Sequence, residues 1–250
     1  MVSTVSTARF NQDNRTTLWD KRRHISVRPV AFVNGSLRRT KRPLAVARSG
    51  PANSFGKRML DVAAAGAALL FFAPFWLAVA IAIKVSSPGP VLFHQERYGY
   101  GNRLFRIYKF RSMRSDSCDA GVRQAVQGDS RVTRVGKFLR MTSLDEIPQL
   151  LNVLKGDMSL VGPRPHVPGM LAADVAYEDL VPYYFQRHTA RPGITGLAQV
   201  SGCRGSTVEA ERAISRIDYD LEYIENWSLG MDVMILFRTI RREFLSGSAF

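Results

Sequence analysis

A run of 22 residues without a charged side chain, from Val62 to Ile83, constrains this sequence more than any other feature. A helix needs about 20 consecutive apolar residues to cross the hydrocarbon core of a bilayer. An uncharged stretch of this length is typical of membrane helices rather than of buried helices in soluble domains. Residues 62–83 are therefore predicted to be a membrane segment.

Pro74 interrupts this segment near its middle. Proline removes a backbone donor and crowds the preceding turn, so it predicts a bend. Basic residues lie on both flanks, with Lys57 and Arg58 before the run and Lys84 after it, and the positive-inside rule gives no single orientation. Two geometries remain open: a kinked helix that spans the membrane, and a re-entrant helix pair that bends at Pro74 and returns to the same face.

The segment before the uncharged run is strongly basic. The chain has 250 residues and a net charge of +14, and residues 1–55 hold eleven of its 35 Lys and Arg residues but two of its 21 acids. Residues 1–55 also lack apolar periodicity and are predicted to be a disordered basic tail. Their charge would suit anionic lipids, nucleic acid or phosphorylated substrates. Residues 56–250, which include the membrane segment, are long and apolar enough to form one domain.

The pattern after the membrane segment predicts an α+β fold made of a small β-hairpin and several short helices. Two β-prone runs, residues 91–95 and 104–110, flank a glycine-rich turn. Four segments have helical periodicity: residues 133–140, 145–155, 207–226 and 231–245. The apolar face of the last segment, centred on Val233 and Phe237, could lie on a membrane surface or pack in the core.

The two cysteines and four histidines give no sign of a metal centre or a disulfide framework. Cys118 and Cys203 are far apart, and neither belongs to a CxxC or Cys/His spacing. Structural zinc sites need four such ligands at characteristic spacings. A structural zinc site is therefore not predicted.

The adjacent acids Asp145 and Glu146 are the main candidates for chemistry. Pro148 lacks an N–H and suits the first turn of a helix, which predicts Asp145 as the N-cap. Acids at this position are also ordinary capping residues. A helix start nevertheless suits bound anions, and Arg140 lies five residues earlier. An ionised Asp can attack phosphorus, and a neighbouring carboxylate can hold Mg²⁺ against diphosphate oxygens.

Basic residues in three other motifs are candidates for substrate binding. Arg164 lies between two prolines, which restrict the backbone, and a guanidinium fixed in this way suits bidentate contact with phosphate. Lys109 and Arg111 are predicted to share one face of the second strand. Arg191 precedes a Pro-Gly pair. A solvated loop or strand face is the alternative interpretation for each motif.

Five segments, in this order, resemble the bacterial sugar transferases, which are also called monotopic phosphoglycosyl transferases. They are KRMLDVAAAGAALLFFAPFWLAVAIAIKVSSPGPVLFHQERYG, YKFRSM, LRMTSLDEIPQLLNVLKGDMSLVGPRP, RPGITGLAQVSG and YDLEYIENWSLGMDVMIL. The resemblance covers residues 56–245. It implies transfer of a hexose 1-phosphate from a UDP-sugar to polyprenyl (undecaprenyl) phosphate with release of UMP, as the first step of exopolysaccharide or other surface glycan assembly.

The resemblance also implies roles for individual residues. Asp145 would attack the β-phosphate and form a phosphosugar–aspartate intermediate, and Glu146 would bind Mg²⁺. Arg140 and Arg164 match positions that bind phosphate or nucleotide, and Lys109 matches a basic position nearby. Glucose is favoured as the sugar, with galactose as the alternative.

The same resemblance implies a location. The membrane segment would be re-entrant and bend at Pro74, with both flanks on the cytoplasmic face of the bacterial inner membrane among its lipids. A homodimer is compatible with it. Two rival functions are a non-catalytic membrane scaffold of a polysaccharide assembly complex and a membrane-tethered nucleic-acid-binding protein. No recognition-helix or aromatic-basic groove pattern supports the latter, and no nucleic-acid partner is predicted.

Overall fold

The computed structural model describes residues 50–114, 129–203, 205 and 209–246, which form a mixture of helices and short strand pairs. The helices are α1 (Phe55–Phe71), α2 (Ala73–Ser86), α3 (Arg134–Met141), α4 (Gln149–Lys155), α5 (Tyr177–Leu180), α6 (Leu197–Val200), α7 (Ala210–Glu225) and α8 (Leu229–Ser246). The strands are β1 (Leu92–Tyr98), β2 (Leu104–Phe110), β3 (Ser159–Val161), β4 (Leu171–Ala172), β5 (Val175–Ala176) and β6 (Gly193–Thr195). The α+β composition predicted from the sequence is confirmed.

The uncharged run forms two helices with a sharp bend between them. α1 ends at Phe71, α2 begins at Ala73, and the two helices are bent by 66°. Pro74 is the second residue of α2, where a missing N–H costs nothing, so the break falls just before it. Among the described residues, no single helix is long and apolar enough to cross a membrane, whereas the bent pair together has the length and composition of a membrane segment. The predicted bend is confirmed to within two residues of Pro74.

Buried charges attach the start of α1 to the rest of the chain. Lys57 Nζ donates to the Asp232 carboxylate (2.8 Å) and to the Val161 carbonyl (3.0 Å). One turn later, the Asp61 carboxylate accepts a hydrogen bond from the Leu160 N–H (3.0 Å). Buried charges persist only when they are paired and hydrogen-bonded. These contacts therefore fix the first turns of α1 against β3 and α8.

The described structure begins within the segment that the sequence assigns to the tail. Residues 50–54 were assigned to the tail, yet they include a turn in which Pro51 and Ala52 are buried. The Ser54 side chain accepts the Lys57 N–H and caps α1. The prediction of disorder for residues 1–49 lies outside the described residues.

The predicted hairpin is present, and its register decides which side chains share a face. β1 and β2 pair antiparallel, with Phe93 opposite Lys109 and Arg97 opposite Phe105. Directly opposed residues project to the same side of a sheet, and alternate residues of one strand do the same. Lys109 and Arg97 consequently lie on one face of the hairpin, at opposite ends of it.

An apolar cluster joins the hairpin to α2. Phe110 at the end of β2 packs with Val79 and Ile83 of α2 and with Leu139 of α3, and all four are buried. Two further clusters hold the remaining helices: one joins α1, α4, β3, α7 and α8, and the other joins α5, α7 and the turn at Tyr184–Thr189. The hairpin thus has a fixed position relative to the end of α2.

The remaining helix predictions are confirmed with shifted ends. α3 begins at Arg134, and the Thr133 side chain caps it by accepting the Gly136 N–H. α7 begins at Ala210 without a side-chain cap.

α8 exposes the apolar face that its sequence indicates. Val233, Phe237 and Ile240 are all more than half exposed, whereas Asp232 and Ile235 on the other side of the helix are buried. Of the two interpretations that the sequence left open, core packing is wrong for these three exposed residues.

Candidate functional site

The two candidate acids lie in a single 3₁₀ turn, Leu144–Glu146, that precedes α4. The N–H groups of Glu146 and Ile147 donate to carbonyls three residues earlier, at 3.2 and 3.3 Å. Pro148 cannot donate, and its ring crowds the carbonyl four residues before it. The α-helix therefore begins only at Gln149. The prediction that Asp145 caps a helix beginning at residue 145 is wrong, because its carboxylate accepts no N–H from the described residues.

Asp145 is buried in a basic environment. Burial, opposed by Lys109, Arg140 and Arg164 and assisted by Glu146, raises the pKa of Asp145 to about 6. Its carboxylate accepts no hydrogen bond from the described part of the chain. A carboxylate with a raised pKa and free lone pairs is more basic and more nucleophilic than a solvated one.

Glu146 has the opposite environment. Lys109 Nζ donates to Oε1 at 2.7 Å, and the Arg164 guanidinium donates to both oxygens, with Nη2 2.5 Å from Oε1 and Nη1 3.1 Å from Oε2. Burial alone would raise the pKa of Glu146, but Arg164 and Lys109 outweigh it and hold that pKa well below the usual range. Glu146 is therefore ionised at neutral pH.

Close backbone approach fixes the loop that carries Arg164. The Gly162 N–H donates to the Thr195 carbonyl, and the Gly193 N–H donates to the Pro163 carbonyl, both at 2.9 Å. A Cβ on Gly162 or Gly193 would lie only 2.4 or 2.1 Å from a backbone atom. Both positions therefore require glycine, and the loop and β6 form one rigid unit.

A buried ion pair holds the same loop from the other side. Arg187 Nη2 donates to the Arg164 carbonyl at 2.6 Å. Arg187 Nε donates to the Asp220 carboxylate of α7 at 2.9 Å, and both side chains are almost fully buried. The buried Arg187–Asp220 ion pair thus holds the backbone of Arg164, whose guanidinium bonds Glu146.

Two of the predicted basic residues lie elsewhere. Arg111 is buried and donates to the carbonyls of Ser87 (2.6 Å) and Pro88 (2.7 Å) at the end of α2. β2 ends at Phe110, so Arg111 no longer shares the strand face of Lys109. The structure therefore brings Lys109, Arg140 and Arg164 to the acids, but not Arg111.

Arg191 also contacts backbone instead of the two acids. Its guanidinium donates to the carbonyls of Gly156 (3.2 Å) and Ala52 (2.5 Å). These contacts join the turn before α1 to the end of α4. These contacts give Arg191 a role in holding the fold together and do not bring it to Asp145 or Glu146.

The sequence did not reveal two arginines that reach the Arg164 loop. Arg187 contacts the Arg164 carbonyl, as described above, and Arg97 Nη1 donates to the Pro165 carbonyl at 3.3 Å. The contacts of Arg187 join residues more than 20 positions apart, and no local pattern indicates them. Arg97 could have been found from the hairpin register, which places it on the face of Lys109.

The two carboxylates fit the donor set that Mg²⁺ uses. Mg²⁺ is usually held by one or two protein carboxylates together with waters and substrate phosphates. The Asp145 oxygens accept no hydrogen bond from the described residues, and Glu146 Oε2 accepts one, which leaves it a lone pair. The described residues contain no group of three or more His, Cys, Asp or Glu that could hold a metal. A metal here would therefore share its coordination with a substrate.

Comparison with known proteins gives one consistent family. Residues 52–246 match the family model described as bacterial sugar transferase. An exopolysaccharide production protein of Rhizobium leguminosarum bv. phaseoli is 53% identical over 195 residues, which are 78% of this chain and 98% of that protein. A UDP-glucose:undecaprenyl-phosphate glucose-1-phosphate transferase of Caulobacter vibrioides is 50% identical over 194 residues, which are 78% of this chain and 72% of that protein.

A third relative is named for a different sugar. It is the UDP-N-acetylgalactosamine-undecaprenyl-phosphate N-acetylgalactosaminephosphotransferase of Aeromonas hydrophila, which is 49% identical over 191 residues. The match covers 76% of this chain but 44% of that protein. This chain therefore spans less than half of some relatives and nearly all of others.

Proposed function

This chain belongs to the bacterial sugar transferase family, and we propose that it transfers a hexose 1-phosphate from a UDP-sugar to undecaprenyl phosphate and releases UMP. One observation carries the proposal: two adjacent carboxylates have opposite environments within one basic site. Asp145 is buried with a raised pKa, whereas Lys109 and Arg164 bond Glu146 and lower its pKa. Environments that separate two pKa values in this way assign different roles to the two acids.

Asp145 is the nucleophile in this proposal. One of its oxygens attacks the β-phosphorus of the UDP-sugar, the bond from that phosphorus to the bridging oxygen breaks, and UMP leaves with the bonding electrons. The product is a phosphosugar–aspartate. A phosphate oxygen of undecaprenyl phosphate then attacks the same phosphorus and releases the Asp145 carboxylate. With a pKa of about 6, Asp145 is largely ionised at neutral pH and ready for the first attack.

The basic side chains bind the diphosphate and orient it. Lys109 and Arg164 donate to Glu146 in this structure, and phosphate oxygens of an incoming substrate would compete for the same donors. Arg140 adds positive charge beside Asp145. Glu146 and Asp145 would hold a Mg²⁺ ion, which supplies charge neutralisation to the diphosphate when bound.

Glucose is the sugar that we propose. The Caulobacter relative named for glucose 1-phosphate transfer is 50% identical to this chain, and relatives of Escherichia coli and Xanthomonas campestris, 46% and 49% identical, have the same name. The Aeromonas relative is named for N-acetylgalactosamine. The product would be the lipid-linked sugar that begins an exopolysaccharide, in line with the name of the Rhizobium relative.

The bent helix pair is proposed to be re-entrant at the cytoplasmic face of the bacterial inner membrane. Two contacts support this topology: Lys57 near the start of α1 donates to Val161, and Arg111 donates to Ser87 at the end of α2. Both ends of the pair are thus attached to the same body, as a re-entrant pair requires. The bend itself carries very exposed apolar side chains, Leu70 and Phe71. The exposed face of α8 would lie on the same lipid surface.

An assay of UMP release tests the proposed activity. Purified protein in detergent is given undecaprenyl phosphate, Mg²⁺ and each of a panel of UDP-sugars. We expect UMP release with UDP-glucose, and a loss of at least about a hundredfold in Asp145→Asn, because a nucleophile and not only a charge is removed. The matched control is Asp179→Asn, which changes an exposed acid. Turnover of Asp145→Asn within tenfold of wild type would exclude Asp145 as the nucleophile.

The same variant separates catalysis from a scaffolding role. A non-catalytic scaffold predicts that Asp145→Asn, which keeps the size of the side chain, restores polysaccharide production in cells that lack the wild-type protein. The proposed activity predicts that it does not, while Asp179→Asn does.

A further inference from the structure

We propose that Arg97, on the first strand of the hairpin, is a further substrate-binding residue that donates to a phosphate oxygen of the UDP-sugar. The inference rests on the proposed function, because it requires a nucleoside diphosphate sugar bound beside Asp145. It adds a residue that neither the local sequence pattern nor the acid pair indicates.

The first step is the position of Arg97 in the hairpin. The register places Arg97 and Lys109 on the same face, with the pair Gln95–Ile107 between them. Lys109 reaches Glu146, and Arg97 reaches the Pro165 carbonyl beside Arg164. One face of the hairpin therefore presents two cations to the two segments that build the site.

The second step is the set of contacts that Arg97 makes and lacks. Its Nη2 donates to Gln95 Oε1 at 2.6 Å, and its Nη1 donates to the Pro165 carbonyl at the long distance of 3.3 Å. Its Nε is buried and has no partner among the described residues. Arg187 and Lys57 are buried as ion pairs with acids, whereas Arg97 forms no ion pair within the described part of the chain. A guanidinium has five donors, so Arg97 retains capacity for an anion.

The third step is the electrostatic cost of this arrangement. Burial and the neighbouring Arg164 charge, opposed by Glu146 and Tyr184, lower the pKa of Arg97 to about 10. Arg97 stays protonated at neutral pH, but burial and the Arg164 charge make this protonated form less favourable than it would be in water. Two nearby arginines with one shared acid have excess positive charge, which a diphosphate would neutralise with charge-assisted hydrogen bonds.

The fourth step distinguishes the nucleotide from the lipid. β1 begins shortly after α2 ends, so it leads away from the membrane segment. Phe93, opposite Lys109, is near its start, and Arg97 is four residues further, or about 13 Å along the strand. Lys109 is therefore at the end of the hairpin nearer to α2, where Phe110 packs on that helix. Arg97 is on the far side, which suits the soluble UDP-sugar.

Substitution of Arg97 with a charge-matched control tests the inference. Arg97→Gln and Arg97→Lys are compared with Arg106→Gln, which removes an exposed charge from the opposite face of the same hairpin. KM and kcat are measured with UDP-glucose varied and with undecaprenyl phosphate varied. Direct binding of UDP-glucose is measured by calorimetry, and folding is monitored by thermal unfolding.

We expect Arg97→Gln to weaken UDP-glucose binding about 10- to 100-fold, since charge-assisted hydrogen bonds to phosphate are lost. Arg97→Lys should lose less, and the KM for undecaprenyl phosphate should stay unchanged. UDP-glucose binding equal to that of Arg106→Gln, or a loss confined to undecaprenyl phosphate, would overturn the inference. If Arg97→Gln does not fold, Arg97→Lys is measured in its place. UDP-glucose binding by Arg97→Lys equal to that of the wild type would then contradict the inference. Failure of the wild type to release UMP would instead overturn the proposed function.

Discussion

At the scale of single residues, Asp145 and Glu146 are adjacent carboxylates in very different surroundings. Glu146 has two cationic partners, whereas Asp145 is buried with no hydrogen bond from the described residues. The folded chain therefore pairs the charge of Glu146 with two cations, whereas burial makes the ionised form of Asp145 unfavourable. Such a contrast is typical of sites in which function, not stability, selects the residue.

This contrast predicts that Asp145→Asn stabilises the protein at neutral pH. The pKa of Asp145 is raised on folding, so the stability that this group contributes is full below about pH 4 and is lost as the pH rises through about 6. Asparagine removes the cost of the buried charge, by up to about 3 kcal/mol. Thermal unfolding in detergent should show Asp145→Asn above wild type at pH 7.5 and equal to it at pH 4. Asp179→Asn should match wild type at both values, and a less stable Asp145→Asn at pH 7.5 would contradict the prediction.

Arg164 should not be replaceable by lysine. Its guanidinium bonds both Glu146 oxygens, a geometry that a single ammonium group cannot reproduce. We expect Arg164→Lys to lose about 10- to 100-fold in kcat/KM for UDP-glucose, nearly as much as Arg164→Ala. Initial rates of UMP release measure this loss, with Arg106→Lys as the control. Full activity of Arg164→Lys would mean that only a point charge is needed.

At the scale of elements, the bend between α1 and α2 and the support behind Arg164 place the site. The proline in an uncharged run made the bend predictable, and the glycine-rich turn made the hairpin predictable, because each is a local signal. The start of α4 was mispredicted, since Pro148 obstructs the helix that it was expected to begin. Arg187 was missed because its partners, Arg164 and Asp220, come together only in the fold.

The re-entrant topology predicts labelling from one side only. Single cysteines at Asn53 and His94, two exposed positions on either side of the helix pair, are introduced after both native cysteines are replaced by serine. A membrane-impermeant thiol reagent applied to the periplasm should label neither, and permeabilised cells should show label at both. Periplasmic labelling at just one of the two positions would establish a spanning segment.

The Arg187–Asp220 pair should position Arg164 and not merely stabilise the fold. Removal of either charge alone leaves the other buried and unpaired, which typically costs about 3–5 kcal/mol. We expect the double variant Arg187→Met/Asp220→Leu to recover most of that stability in thermal unfolding. Its kcat/KM for UDP-glucose should stay low, because the Arg164 carbonyl has lost its donor. Recovery of both stability and activity would limit the pair to a structural role.

At the scale of the whole molecule, the bent helix pair and the site form one unit. Lys57 and Asp61 fix α1 to β3, the Arg164 loop follows β3, and Arg111 fixes the end of α2 to the hairpin that carries Lys109. The acids are thus held at a set distance from the bent helix pair. The order of elements was readable from the sequence, but this coupling was not, because every contact in it joins distant parts of the chain.

The central claim is that Asp145 forms a covalent bond to the transferred phosphosugar, and trapping that bond tests it most directly. Protein is mixed with UDP-glucose and Mg²⁺ without undecaprenyl phosphate, quenched, digested and analysed by mass spectrometry. We predict that the peptide containing Asp145 gains the mass of one hexose phosphate in the wild type and in Asp179→Asn, but not in Asp145→Asn. Addition of undecaprenyl phosphate before the quench should remove the adduct. An adduct on another residue, or turnover of UDP-glucose with no adduct under any quench, would contradict the claim.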